Sequence, residues 1–149
     1  MKTRFSKSLS GRSARDTKPE LLLRRALHAL GFRFRLHRRI GERLTVDILM
    51  PRHRVAVFAD GCFWHGHGCE RGGGRPPRGP NATRWAAKRA RVKEREARAN
   101  ELLTAIGYRV VRLWECVILA DPAGTATTLA RIALQPIQSQ PSNTEKARR

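Results

Sequence analysis

Apolar positions along the chain fall into segments whose period switches between that of a helix and that of a strand, divided by Gly, Pro and charged residues. Thr17-Lys18-Pro19-Glu20 offers a capping residue, an early-turn proline and a Glu three positions after the cap, which predicts a helix start. Leu23, Ala26, Leu27 and Leu30 then follow the i, i+3, i+4, i+7 spacing of one buried stripe, and Gly31 can take the left-handed conformation that stops the helix. Phe32-Arg33-Phe34-Arg35-Leu36 alternates apolar and cationic residues, as in a strand with one face on a core. Two further strands are expected at Leu44 to Met50 and Arg54 to Phe58, joined through Pro51-Arg52-His53 in a tight hairpin turn. The longest helix runs from about Asn81 or Thr83 to Ile106, with Trp85, Val92, Ala99, Leu102, Leu103 and Ile106 on or near one stripe and Gly107 as its stop. Tyr108 to Trp114 reads as a strand, and Asp121-Pro122 opens a last helix through about Leu134. The order predicts an α/β fold, a small sheet with some parallel or mixed pairing flanked by helices.

The segments outside this pattern are basic. Residues 1–16 form a polar, cationic arm, residues 71–80 a Gly-, Pro- and Arg-rich loop able to drape over a ligand, and residues 136–149 a disordered tail, leaving 17–135 as the folded domain. Across 149 residues, 31 Lys and Arg face 12 Asp and Glu, a formal charge of +19. Such an excess disfavours an ordinary near-neutral metabolic enzyme and favours a polyanionic partner, nucleic acid before anionic membrane. The apolar run Val55 to Ala59 is far short of the roughly 20 residues a bilayer crossing needs. The N-terminus also lacks a signal-peptide core, so an intracellular, cytoplasmic protein is expected. Three cysteines, an odd number, argue against a disulfide framework.

Chemistry is densest from Asp60 to Cys69, Asp-Gly-Cys-Phe-Trp-His-Gly-His-Gly-Cys. Cys62, His67 and Cys69 supply the sulfur and imidazole donors zinc prefers, on a backbone that Gly66 and Gly68 let curl. Cys116, just past the strand ending at Trp114, would complete a site of three thiolates and one imidazole. On ligand chemistry alone His65 and His67 can exchange roles.

Asp47 interrupts the apolar strand Leu44–Leu49, where a carboxylate is costly unless paired or metal-bound. Asp60 ends the next strand, so a hairpin would bring the two close enough to share Mg2+, the hard cation that phosphodiester hydrolysis uses. Glu20 is a possible third acid alongside its capping role, and His65, five residues past Asp60, is placed to be a general base or acid. Phe63 and Trp64, two large aromatics inside a polar loop, are suited to wedging between base pairs, and Trp85 to joining them or to packing in the core. Seven Lys or Arg and two Glu between Arg84 and Arg98 could line phosphates or simply face solvent.

The run Val57-Phe58-Ala59-Asp60-Gly61-Cys62-Phe63-Trp64-His65-Gly66-His67-Gly68-Cys69, with Trp114-Glu115-Cys116 downstream and Thr17-x-x-Glu20 upstream, resembles the very short patch repair (Vsr) DNA mismatch endonucleases. The resemblance covers about residues 6–134 in the same order. It implies a restriction-endonuclease-like fold, a structural zinc, and Mg2+-dependent nicking beside the thymine of a T:G mismatch left by deamination of 5-methylcytosine. By position it implies that Asp47 is the main metal carboxylate, Glu20 a supporting acid and His65 the catalytic histidine. Cys62, His67, Cys69 and Cys116 become the zinc ligands, and Phe63, Trp64 and Trp85 the aromatic wedge.

Some positions depart from that pattern. Asp60 stands where the best-known members have a second catalytic histidine, so two carboxylates would hold the metal. Ala59 replaces a threonine, Val46 a common proline, and Leu9 takes the approximate place of an N-terminal methionine that helps wedge the DNA. The expected protein is a monomer acting on double-stranded DNA with a T:G mismatch, followed by downstream repair proteins. Two other readings are a restriction or defence nuclease of the same fold, and a zinc-stabilised DNA-binding module without catalysis.

Overall fold

In the computed structural model, which describes residues 15–62, 65, 67–69 and 79–137, the first helix, α1, spans Lys18–Ala29. Its start differs in detail from a capping box. Thr17 makes no side-chain cap; Leu21 N–H donates to its carbonyl, and the Glu20 carboxylate accepts from Asp16 N–H instead, at 3.1 Å. The end matches expectation: Gly31 sits at φ +87°, its N–H bonded to His28 O and that of Phe32 to Leu27 O, a Schellman stop. Leu23 and Leu27 are buried, whereas Leu30, read as part of the stripe, is 48% exposed because the chain has already turned away there.

Strand β1 is Arg35–Ile40, later than the Phe32–Leu36 alternation suggests, since Phe32 is used to close the helix end against the core. Strands β2 (Leu44–Met50) and β3 (Val55–Asp60) are joined by a 3-10 turn, Pro51–His53, with Arg54 at φ +51°. Helix α2 is Ala82–Ala105, ended at Gly107 (φ +89°) by the same pair of backbone bonds that ends α1, and strand β4 is Arg109–Trp114. A short helix not foreseen from the sequence, α3 (Glu115–Ala120), precedes α4 (Pro122–Leu134), whose first turn is capped by Asp121 accepting from Gly124 N–H.

The sheet order is β1-β2-β3-β4, antiparallel except for the parallel β3–β4 pair, so the fold is mixed α/β with a four-stranded sheet flanked by helices. Leu23, Leu27, Phe32, Ile48, Val57, Ile118 and Leu129 fill the layer under α1, α3 and α4. Val46, Leu49, Ala56, Phe58 and Leu103 fill the layer under α2. Leu102 and Ile106, expected on the α2 stripe, are each 43% exposed; of that stripe Ala99 and Leu103 are buried. Among the described residues, no helix is long and apolar enough to cross a membrane.

Two features of this sheet position the site. The β2–β3 ladder covers only Ile48↔Val57 to Met50↔Val55, so the strands splay beyond it and Asp47 and Asp60 stand at the mouth between the two central strands. The parallel register Asp60↔Trp114 sets the C-terminal ends of β3 and β4 side by side, and each strand is followed two residues later by a cysteine, Cys62 and Cys116.

Candidate active site and metal centre

At the mouth of the splay Asp47 uses its side chain where the ladder has stopped: Oδ2 accepts the Ala59 N–H at 2.9 Å. Burial pushes its carboxyl up from 3.8 to about 6, against that hydrogen bond, and the negative charges of Glu20 and Asp60 push it further the same way while His37 opposes them. A carboxylate in surroundings so rich in negative charge suits a hard cation, and Asp47 fits the expected Mg2+ ligand in that respect. Glu20 is only 3% exposed and lies beside Arg24 Nη2 (3.2 Å) and His37 Nε2 (3.7 Å). Arg24 Nη2 in turn donates to Asp16 Oδ1 at 2.7 Å.

Asp60 is also buried, but it has a cation of its own. Arg112 Nη1 donates to both of its oxygens, at 3.0 and 3.4 Å, and His65 Nε2 lies 3.6 Å from Oδ1. Burial raises its carboxyl, and His65 and Arg112 pull it back. The His65 ring sits between two carboxylates, for its Nδ1 is 3.1 Å from Glu96 Oε2 on α2. Arg112 spans both acids, with Nε 3.4 Å from Glu96 Oε1 and 3.0 Å from Asn100 Oδ1, and its guanidinium lies 4.2 Å from the Phe58 ring centre. Such a set can hold an imidazole in one orientation, as a proton-transfer group requires.

Next to it the four expected zinc ligands converge: one donor atom each from Cys62, His67, Cys69 and Cys116 lies within 4.8 Å of the others. Cys116 Sγ is 3.5 Å from His67 Nδ1, and the imidazole stacks on Trp114 at 4.1 Å and 7°. Cys62 is fully buried, and burial pushes its thiol up to about 12, with hydrogen bonds to the neighbouring thiols adding to the effect. Thiols gathered so closely fit a divalent metal that would deprotonate them, and a donor set of three sulfurs and one imidazole is one that zinc takes. His67 turns into this cluster while His65 turns toward Asp60 and Glu96. The loop is anchored by His67 N–H to Cys62 O, His65 N–H to Gly61 O, and Cys62 N–H to the Glu115 carboxylate at 3.2 Å.

Trp85 lies in the first turn of α2, half-buried, with the Lys88 ammonium 5.7 Å from its ring centre. Phe63, Trp64 and Leu9 lie outside the described residues. Glu96, Arg112 and Glu115 escaped sequence reasoning, as did the group of Asp16, Arg24 and His37 around Glu20. Glu96 left one trace, as one of two acids in a run of seven basic residues, where it reads as solvent-facing charge.

The family model described as DNA mismatch endonuclease Vsr matches residues 1–71. The DNA mismatch endonuclease Vsr of Escherichia coli K12 is 32% identical over 116 residues, 76% of this chain and 70% of that protein. The chain belongs to the Vsr family. It is also similar to the type II nicking enzyme V.XorIIP of Xanthomonas oryzae pv. oryzae, 40% identical over 103 residues (69% of this chain, 73% of the relative). Type II nicking enzyme V.NaeI of Lentzea aerocolonigenes is 40% identical over 120 residues (78% and 70%). As a Vsr-family member the protein is a DNA endonuclease, which sets aside the non-catalytic binding module. The family match covers Glu20, Asp47, Asp60, Cys62, His65, His67 and Cys69, whereas Glu96, Arg112 and Cys116 lie beyond residue 71 and join the site through the fold.

Proposed function

We propose that this Vsr-family endonuclease nicks one strand beside the thymine of a T:G mismatch in a Mg2+-dependent reaction, starting very short patch repair. The observation that carries the chemistry is the arrangement at the β2–β3 splay. Asp47, its carboxyl raised and its Oδ2 accepting the Ala59 N–H, lies close enough to Asp60 to feel its charge, and Asp60 in turn brackets His65 together with Glu96. Asp47 would be the main residue holding magnesium, with Asp60 as a second carboxylate able to share it and Glu20 as the acid that adds negative charge to the pocket. Magnesium in that pocket supplies charge neutralisation at the scissile phosphate and a more acidic water. His65 moves the proton, with Glu96 fixing its Nδ1 side and Arg112 holding both flanking acids in register.

Zinc held by Cys62, His67, Cys69 and Cys116 is structural, since all four positions of a tetrahedral ion are taken by protein. We read the sheet and its flanking helices as a restriction-endonuclease-like fold, and the protein as a cytoplasmic monomer handing its nick to downstream repair proteins. Phe63, Trp64, Trp85 and Leu9 are the residues proposed to wedge the duplex at the mismatch, because a rigid metal-bound loop can offset the few kcal/mol of unstacking.

The test is to incubate the protein with Mg2+ and with matched and T:G-containing duplexes and to look for a single-strand nick. The expected result is a nick in the T:G duplex alone. Equal nicking of both duplexes would instead support a restriction or defence nuclease acting on paired or modified DNA, a reading favoured by relatives whose names describe type II nicking enzymes.

A further inference from the structure

Backbone strain and side-chain clustering coincide beside Glu20. Among the described residues other than glycine, three have left-handed backbone: Asp16 (φ +55°), His37 (φ +46°) and Arg54. Arg54 merely ends the turn between β2 and β3, but Asp16 and His37 lie on separate segments and meet. His37 Nε2 is 3.2 Å from Asp16 Oδ1, 2.9 Å from Arg24 Nη2 and 3.7 Å from Glu20 Oε2. Left-handed backbone disfavours any residue with a Cβ, and such strain survives where surrounding contacts enforce it, often at a functional site.

The same point is a fault line in the sheet. Between β1 and β2 the pairs Leu36↔Ile48 and Arg38↔Val46 are formed, and the pair between them, His37 with Asp47, is skipped. Side chains two residues apart on a strand normally share a face. Here Val46 packs in the layer under α2 and Ile48 in the opposite layer, so β2 rotates at Asp47. The kinked backbone at residue 37 and the rotation at residue 47 face each other across the ladder, and His37 and Glu20 are both close enough to Asp47 to act on its charge.

We propose that His37 is a positioning residue for strand cleavage: its left-handed backbone turns the imidazole out of β1 onto Glu20, Asp16 and Arg24, fixing the Glu20 carboxylate beside Asp47. This deepens the proposed nicking site and rests on the reading of Asp47 and Glu20 as its acids. His37 never touches the phosphate in this scheme. Its role is to hold an acid, buried on α1, at a set distance from an acid on β2.

The test compares wild type with His37→Gly, which takes positive φ without strain, and His37→Asn, which tolerates it and keeps a polar group. His37→Gly should keep its melting temperature within about 2 °C and its duplex affinity, yet lose about 10- to 100-fold in single-turnover nicking rate. His37→Asn should recover part of that loss. Nicking by His37→Gly at the wild-type rate overturns the proposal, and so does a parallel loss of rate, affinity and melting temperature, which would make His37 a fold residue only. A second readout needs no activity: in nitrogen-15 spectra of the histidine rings, Glu20→Gln should displace the His37 Nε2 resonance. An unmoved resonance overturns the clamp even if the enzyme nicks as proposed. A moved resonance in a protein that nicks only matched duplex keeps the clamp and rejects the T:G specificity.

Discussion

Asp47 is costly to the fold on its own. Its carboxyl, raised from 3.8 to about 6 by burial, is harder to ionise in the folded protein than in the unfolded chain by about 3 kcal/mol. Because the folded value lies above the unfolded one, this cost is absent below about pH 4, grows through the interval and is complete above about pH 6. Asp47→Asn can still accept the Ala59 N–H, so in the presence of chelator it should be more stable than wild type by about 2–3 kcal/mol at pH 8 and by little at pH 4. The same variant should not nick. Denaturant melts at the two pH values check the first expectation, and parallel curves would mean that Asp47 is not strained in the resting protein. The carboxylate was legible in the sequence because a charge inside Leu44–Leu49 violates the strand pattern. Arg112 was not, since alternating Arg and apolar residues in a strand usually mean a solvent face, and only pairing with β3 points it at Asp60.

At the scale of elements, the parallel β3–β4 pair decides most of the site, and Arg109 is what locks β4 to the last helix. Its guanidinium donates to Ile132 O (2.7 Å), Ala133 O (3.1 Å) and Gln135 O (3.0 Å) at the C-terminal end of α4, and to His53 O (2.8 Å) in the β2–β3 turn. A cation there meets the negative end of the helix and satisfies carbonyls the helix leaves unpaired. Arg109→Met should lower stability by about 2–3 kcal/mol, read as a lower urea midpoint with an unchanged slope, because several partly buried acceptors lose a charged donor. An unchanged midpoint would show that water replaces the guanidinium at no cost. Helix limits were readable to within a residue or so at α2 and α4, where Gly107 and Asp121-Pro122 act locally. The first strand was misplaced because Phe32 and Phe34 look like strand positions but pack at the helix end and against the core.

For the molecule as a whole, a cluster of metal-ligating side chains and a large charge excess bear on its behaviour. The Cys62, His67, Cys69 and Cys116 cluster brings the end of β3 to the start of α3 across more than 50 residues of sequence, as the Glu115–Cys62 bond also does, and a zinc ion held there would tie the two together. Purified protein should therefore carry about one zinc per chain, and stripping it should lower the melting temperature by roughly 10 °C or more. Full stability in metal-free protein would remove the ligand assignment. The charge of +19 should act mainly on the DNA backbone, so duplex affinity is expected to fall about 1,000-fold or more between roughly 50 and 200 mM salt. Mismatch preference should change less, because backbone contacts carry no sequence information. A shallow salt slope would show that much of the surplus charge never reaches DNA.

Sequence alone determined what depends on near neighbours. Residue type and spacing define the helix stops, the acid inside an apolar strand and the Cys-x-x-x-x-His-x-Cys donor run, because each is written within a dozen residues. Tertiary structure decided which distant residues complete those fragments. The parallel register brings Cys116 to Cys62, His67 and Cys69 and Arg112 to Asp60. Helix α2, crossing the opposite face, delivers Glu96 to His65, and the kink at residue 37 joins α1 to β1 around Glu20. Contacts of that range arise from strand order and backbone conformation, and no local period in the chain encodes either.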